Sequence, residues 1–137
     1  TCGSEQFGIR SVRSERVKFI LNLTPDETFL NACVKSPIVM SWVTRAEGGD
    51  ADAAEKVGRY QNRPAEELYD IVDDPFEWEN LADDPKFAKV KSELKNQLDA
   101  WMRSQGDRGA ETELDAHAHQ NRNRNASKKT KKPRQRK

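Results

Sequence analysis

The stretch from Arg63 to Pro85, RPAEELYDIVDDPFEWENLADDP, constrains the fold more than any other part of the chain. Glu67-Leu68-Tyr69-Asp70-Ile71 alternates polar and apolar side chains, which predicts a short strand with Leu68 on one face and Tyr69 on the other. Asp74-Pro75-Phe76-Glu77 then supplies an oxygen acceptor, a proline with helical φ already set, and a carboxylate three residues after the cap. That is a capping box, and it predicts a helix start. Asp84-Pro85 repeats the acceptor and proline and predicts a second helix. A strand followed at once by helix signals places the chain among mixed α and β folds.

Upstream, Ile9 to Arg13 and Arg16 to Leu23 flank Ser14-Glu15 and read as a hairpin with a two-residue turn. Val17, Phe19 and Leu21 form its buried face, and Ile20 on the opposite face implies that this side is covered too. Thr24-Pro25-Asp26-Glu27 ends the strand, and Glu27 to Cys33 is expected to make a short helical turn. A helix is predicted from Pro37 to Glu47, stopped by Gly48-Gly49. Another is predicted from an Asp50 cap to Tyr60, with Ala53, Ala54, Val57 and Tyr60 inward. The clearest helix carries Phe87, Val90, Leu94, Leu98 and Trp101 as one apolar stripe. The expected architecture is therefore α+β: a small antiparallel sheet packed by a long C-terminal helix.

The chain has 137 residues, of which 34% are hydrophobic and 34% charged, enough for one thin-cored domain and a tail. Mean hydropathy is −1.00, and no apolar run approaches the roughly 20 residues that cross a bilayer. The net charge of +1 hides a division. Nine basic residues and no acid lie between Arg122 and Lys137; without them 15 basic residues face 23 acidic ones, a balance of −8. An acidic body thus carries a cationic tail, for which disorder is the expectation. Cys2 and Cys33 are too few for a disulfide framework or a zinc site, and pairing between them stays open.

Arg63-Pro64, Glu67-Leu68-Tyr69-Asp70, Asp74-Pro75, Glu77, Asn80-Leu81-Ala82 and Asp84-Pro85 together resemble the signature near the C-terminus of type I sulfatases. The likeness is to the sulfamidase, or heparan N-sulfatase, branch in particular. Ile9 to Arg13 and Lys18 to Leu23 are similar to the paired strands that precede the signature in that family, so the resemblance runs from about Gly8 to Met102. It implies a sulfatase C-terminal subdomain over residues 8–104, from a parent with an alkaline-phosphatase-like catalytic domain. Residues 1–7 are then a disordered or truncated leader, and 105–137 a disordered polar and basic tail. The parent would hydrolyse sulfate esters or N-sulfate groups on glycans, in an extracytoplasmic compartment. Its N-terminal catalytic domain would be this segment's partner and would carry a formylglycine and a divalent metal, calcium by the resemblance.

The chain's own residues offer little to that chemistry. Formylglycine arises from Cys or Ser in C/S-x-P-x-R, but Cys2 is followed by Gly-Ser-Glu-Gln and Cys33 by Val-Lys-Ser-Pro. No catalytic or metal-ligating residue is therefore assigned, and the chain alone is expected to be inactive. An EF-hand loop starting at Asp70 would need Gly where Pro75 stands and Glu where Leu81 stands, so the acid pairs Asp73-Asp74 and Asp83-Asp84 read as caps. His117 and His119 find no partners for a metal. Arg10 and Arg13 carry guanidinium groups suited to a sulfated sugar, the plainer reading being an internal ion pair with the acids between Glu66 and Asp74. Asn22-Leu23-Thr24 and Asn125-Ala126-Ser127 fit the glycosylation sequon. A different reading of the whole makes the chain an independent polyanion-binding module acting through its tail, where no aromatic residue offers a base-stacking platform.

Overall fold

The computed structural model describes residues 7–30 and 32–115. Three strands, β1 (Ile9–Arg13), β2 (Val17–Asn22) and β3 (Glu66–Asp70), form one antiparallel sheet in the order β1-β2-β3. Among the described residues, helices α1 (Pro37–Glu47) and α2 (Ala51–Gln61) lie between β2 and β3, α3 (Ala88–Ser104) follows the sheet, and residues 110–115 are also helical. The α+β expectation holds, with α1 and α2 forming a helical hairpin inserted into the sheet's connection.

Register assigns every strand residue to a face. Val12, Phe19 and Leu68 stand in one cross-strand row, and Ser11, Ile20 and Glu67 in the row that points the other way. The first face is the core: Phe19 and Leu68 are fully buried, and Val17, Ala82, Leu94, Leu98 and Met102 pack with them. Each such aliphatic or aromatic side chain contributes on the order of 2 kcal/mol through burial before conformational entropy is counted. The helix over this face is α3, entered through a short 3-10 turn at Pro85–Phe87. Asp84 caps that turn, its carboxylate accepting from the Lys86 N–H at 2.9 Å.

The hairpin turn is displaced by one residue from its expected place. Strand pairing continues to Arg13 and Lys18, and the Ser14 N–H donates to the Val17 carbonyl at 2.8 Å, so the two turn residues are Glu15 and Arg16. The Ser14 hydroxyl accepts from the Val17 N–H at 2.9 Å, a local bond that periodicity cannot register. Likewise β3 begins at Glu66 rather than Glu67, and the turn expected at Glu27 to Cys33 forms instead as a 3-10 helix at Ala32–Lys35.

Helices α1 and α2 lie where the sequence puts them. Ser36 and Asp50 cap them through the N–H groups of Val39 and Ala53, and Gly49 leaves α1 at φ 92, in the left-handed region that glycine tolerates. Ala53 is buried as expected, whereas Ala54 is exposed, because α2 is covered along a single line by α1.

Three expectations fail for identifiable reasons. Asp74-Pro75 does not start a helix: Glu77 turns back at φ 57, and the Asp74 carboxylate accepts from the Glu79 N–H, two residues beyond where a helix cap would reach. Trp101 is 55% exposed, and Met102 takes its place in the core. The buried stripe Leu94, Leu98, Met102 advances by four residues per step, which carries it to Met102 and not to Trp101. Residues 105–115, expected in the tail, pack onto β1 instead. Gly8 is buried there, and a Cβ on it would lie 2.8 Å from Glu113 Cγ and 2.9 Å from Leu23 Cδ1. His117, His119, Cys2, the second sequon and the basic tail from Arg122 lie outside the described residues.

Candidate functional site

The signature residues converge on β3 and its free edge. The Asn80 side-chain oxygen accepts from the N–H groups of Leu68 (2.9 Å) and Ala82 (3.0 Å), and its nitrogen donates to the Glu66 carbonyl at 3.2 Å. The Leu81 N–H then donates to the Leu68 carbonyl at 2.8 Å. Asn80 and Leu81 thus stand in for a fourth strand and close the sheet edge.

At the end of β3, Asp70 is buried with its carboxylate accepting from Arg16 Nε at 2.8 Å and from the N–H groups of Val72 and Asp73. Burial opposes the charge, but these donors outweigh it and hold the carboxyl below its ordinary range. Asp74 closes the following turn, and Glu77 crosses to Lys18, both carboxylate oxygens lying 2.8 Å from Nζ. Each acid of the signature has a scaffolding partner. Among the described residues no group of three or more His, Cys, Asp or Glu side chains could hold a metal ion.

The sheet's second face opens into a groove of about 440 Å³ bordered by Arg59, Arg63, Glu67, Tyr69, Phe76 and Trp78. The Tyr69 hydroxyl donates to Glu67, whose other oxygen accepts from Asn22 Nδ2 at 2.6 Å. Burial, then the Glu67 carboxylate, push the Tyr69 hydroxyl well above its ordinary pKa, so it stays a donor. Asn22 Nδ2 also donates to the Pro64 carbonyl at 2.6 Å, which ties the start of β3 to the end of β2. That nitrogen is the one a glycan would occupy in the first sequon. Buried and doubly bonded, it is closed to modification as long as the sheet is folded. Arg63 lies over the ring of Phe29, its Cζ 3.6 Å from the centroid.

The two arginines of β1 part company. Arg10 faces α3, where its guanidinium pairs with Asp107 and Glu113. Its partners belong to the segment after α3, not to the acids between Glu66 and Asp74. Arg13 lies on the second face and is exposed. The sequence reading missed Lys56, Arg59 and Trp78, which border the groove. Their spacing on α2 and in a loop gives no periodic signal; only the pairing of Arg59 over Trp78 and Lys56 over Trp42, each 5.0 Å from a ring centroid, brings them together.

No family model matches the chain. Individual proteins do. An ulvan-active sulfatase of Formosa agariphila is 36% identical over 104 residues, 76% of this chain and 19% of that protein. The N-sulphoglucosamine sulphohydrolase of Homo sapiens is 31% identical over 103 residues, 70% of this chain and 20% of its own length. A delta 4,5-hexuronate-2-O-sulfatase of Bacteroides thetaiotaomicron is 38% identical over 61 residues, 44% of this chain and 13% of that protein. The chain therefore spans about a fifth or less of the length of the curated relatives it matches.

Proposed function

The chain belongs to the type I sulfatases, as their C-terminal subdomain, and from that premise we propose that it serves a sulfatase catalytic domain by docking on it and completing its substrate cleft. The observation that supports this most is the match over 104 residues to a protein more than five times that length, on a fold whose signature acids are engaged in turn caps, ion pairs and, for Glu67, hydrogen bonds from Tyr69 and Asn22. Such a unit shapes an enzyme without supplying its reactive groups.

The parent reaction is hydrolysis of sulfate esters or N-sulfate groups on glycans, in an extracytoplasmic compartment. Relatives named for a 2-O-sulfated hexuronate and for N-sulfoglucosamine both stand behind that range. Formylglycine and the divalent metal, calcium by family resemblance, belong to the catalytic domain, since the residues present do not fit them: neither cysteine is followed by the required proline and arginine. No helix among the described residues is long and apolar enough to cross a membrane. Of the two β1 arginines, Arg10 is ion-paired and Arg13 is exposed, which favours Arg13 as the contact to a sulfated sugar in this proposal.

Reading the coding sequence immediately upstream tests this proposal. A C/S-x-P-x-R motif within an alkaline-phosphatase-like segment is the expected result, and its absence would count decisively against a sulfatase parent. A second contribution comes from the nine basic residues between Arg122 and Lys137, which supply nonspecific attraction to polyanions by counterion release. Deleting them should abolish salt-sensitive heparin binding; binding retained after the deletion excludes the tail as its source.

A further inference from the structure

The helical hairpin inserted between β2 and β3 has an apolar side that the described residues leave uncovered. Helix α1 reads PIVMSWVTRAE, yet none of its residues is buried. Ile38 is 73% exposed and Met40 46%, and Trp78, reaching up from the signature loop, is 49% exposed. Between Ile38, Trp42 and Trp78 runs an apolar groove of about 360 Å³. A helix this apolar is ordinarily buried, and a patch of adjoining tryptophan and isoleucine side chains marks a contact surface rather than a solvated one. Two cations rim it. Lys56 and Arg59 lie over the rings of Trp42 and Trp78, in a body that is otherwise acidic.

We infer that this groove is the face that docks on the catalytic domain of the same sulfatase, and that its occupant is an apolar segment of that domain with a carboxylate at the Arg59 end. The inference rests on the proposed role as a subdomain and says which surface carries it out. Two observations select the occupant. The matched relatives have four-fifths or more of their length outside the matched region, which is chain enough to cover the groove. Lys56 is already paired with Asp52, so the charge preference comes from Arg59 over Trp78, which favours an acidic neighbour at that end. The core face cannot serve, because α3 covers it, and the free edge of β3 is closed by Asn80.

Hydrogen exchange on the 137-residue chain and on the full-length polypeptide encoded by its gene distinguishes the outcomes without any substitution. Amides of α1 and of residues 76–80 should exchange at least about tenfold more slowly in the full-length protein, while those around exposed Trp101 should be unchanged. Protection around Trp101 instead would leave docking intact but place it on the wrong face. No added protection anywhere would overturn the docking role itself. In the full-length protein, Ile38→Glu and Trp78→Glu should each lower the midpoint of thermal unfolding by several degrees, and Trp101→Glu should not. Should the 137-residue chain form a dimer by light scattering that Ile38→Glu dissociates, the occupant is a second copy and the inference is wrong.

Discussion

Asn80 does with one amide group what a fourth strand would do with its backbone, satisfying the Leu68 N–H and the Glu66 carbonyl on the edge of β3 while also accepting from Ala82 in its own loop. Asn80→Ala should therefore cost about 2 kcal/mol in urea unfolding, since a part-buried donor is left unpaired, whereas Asn80→Asp keeps the acceptor and should cost less. Leu68, fully buried beside Phe19, is the other decisive residue. Leu68→Ala should cost roughly 3 kcal/mol and Leu68→Asp should abolish folding as judged by circular dichroism; a mild effect of the aspartate would mean that β3 is not central. The sequence showed Leu68 as a core position through simple alternation. It could not show the role of Asn80, because a side chain that mimics backbone follows no period. The misread cap at Asp74 has the same origin: Glu77 is drawn across the sheet to Lys18, a contact 59 residues away in sequence.

At the scale of elements, helix boundaries were legible wherever a cap and a stop bracket an apolar run. Pro37 to Glu47 is predicted and found, with Ser36 and Gly49 at its ends. The stripe of α3 was legible through Leu98 and failed at the last turn, where the buried line steps by four to Met102 and not by three to Trp101. Met102→Ala should accordingly cost about 2 kcal/mol and Trp101→Ala close to nothing, measured by thermal unfolding. The reverse order would restore Trp101 to the core. Electrostatics fastens the same helix. Glu66 on β3 pairs with Lys91 and Lys95 of α3, while Arg10 on β1 takes Asp107 and Glu113 from the segment beyond it. That segment looked like tail because its composition is polar throughout; its order comes from ion pairs and a buried Gly8, neither of which composition records.

Across the whole molecule these pairs set the response to acid. The carboxyl of Glu66 is held below its ordinary value of 4.5 by the hydrogen bond from Lys95, and that of Asp107 below 3.8 by the one from Arg10. Asp70 is held below 3.8 because Arg16 and two backbone N–H groups outweigh its burial. In each case the unfolded chain binds a proton more readily than the native one, so stability is whole above about pH 5 and declines as pH falls through the folded values. Melting temperature followed from pH 7 to pH 3 should drop along that limb, and Glu66→Gln should make the limb shallower. A melting temperature that rose on acidification would contradict the pairing.

The family could be recognised in sequence because its signature is scaffold, and scaffold is written locally in caps, prolines and alternation. The groove could not, since it is assembled from α1, α2 and the signature loop by contacts that no local pattern records. What ties the scales together is the claim that this unit gives a sulfatase its shape and not its chemistry. The most direct test is sulfate release from N-sulfated and O-sulfated glycans, measured for the 137-residue chain and for the full-length polypeptide side by side. Turnover by the full-length protein and none by the chain is the expected result; turnover by the chain alone would contradict it.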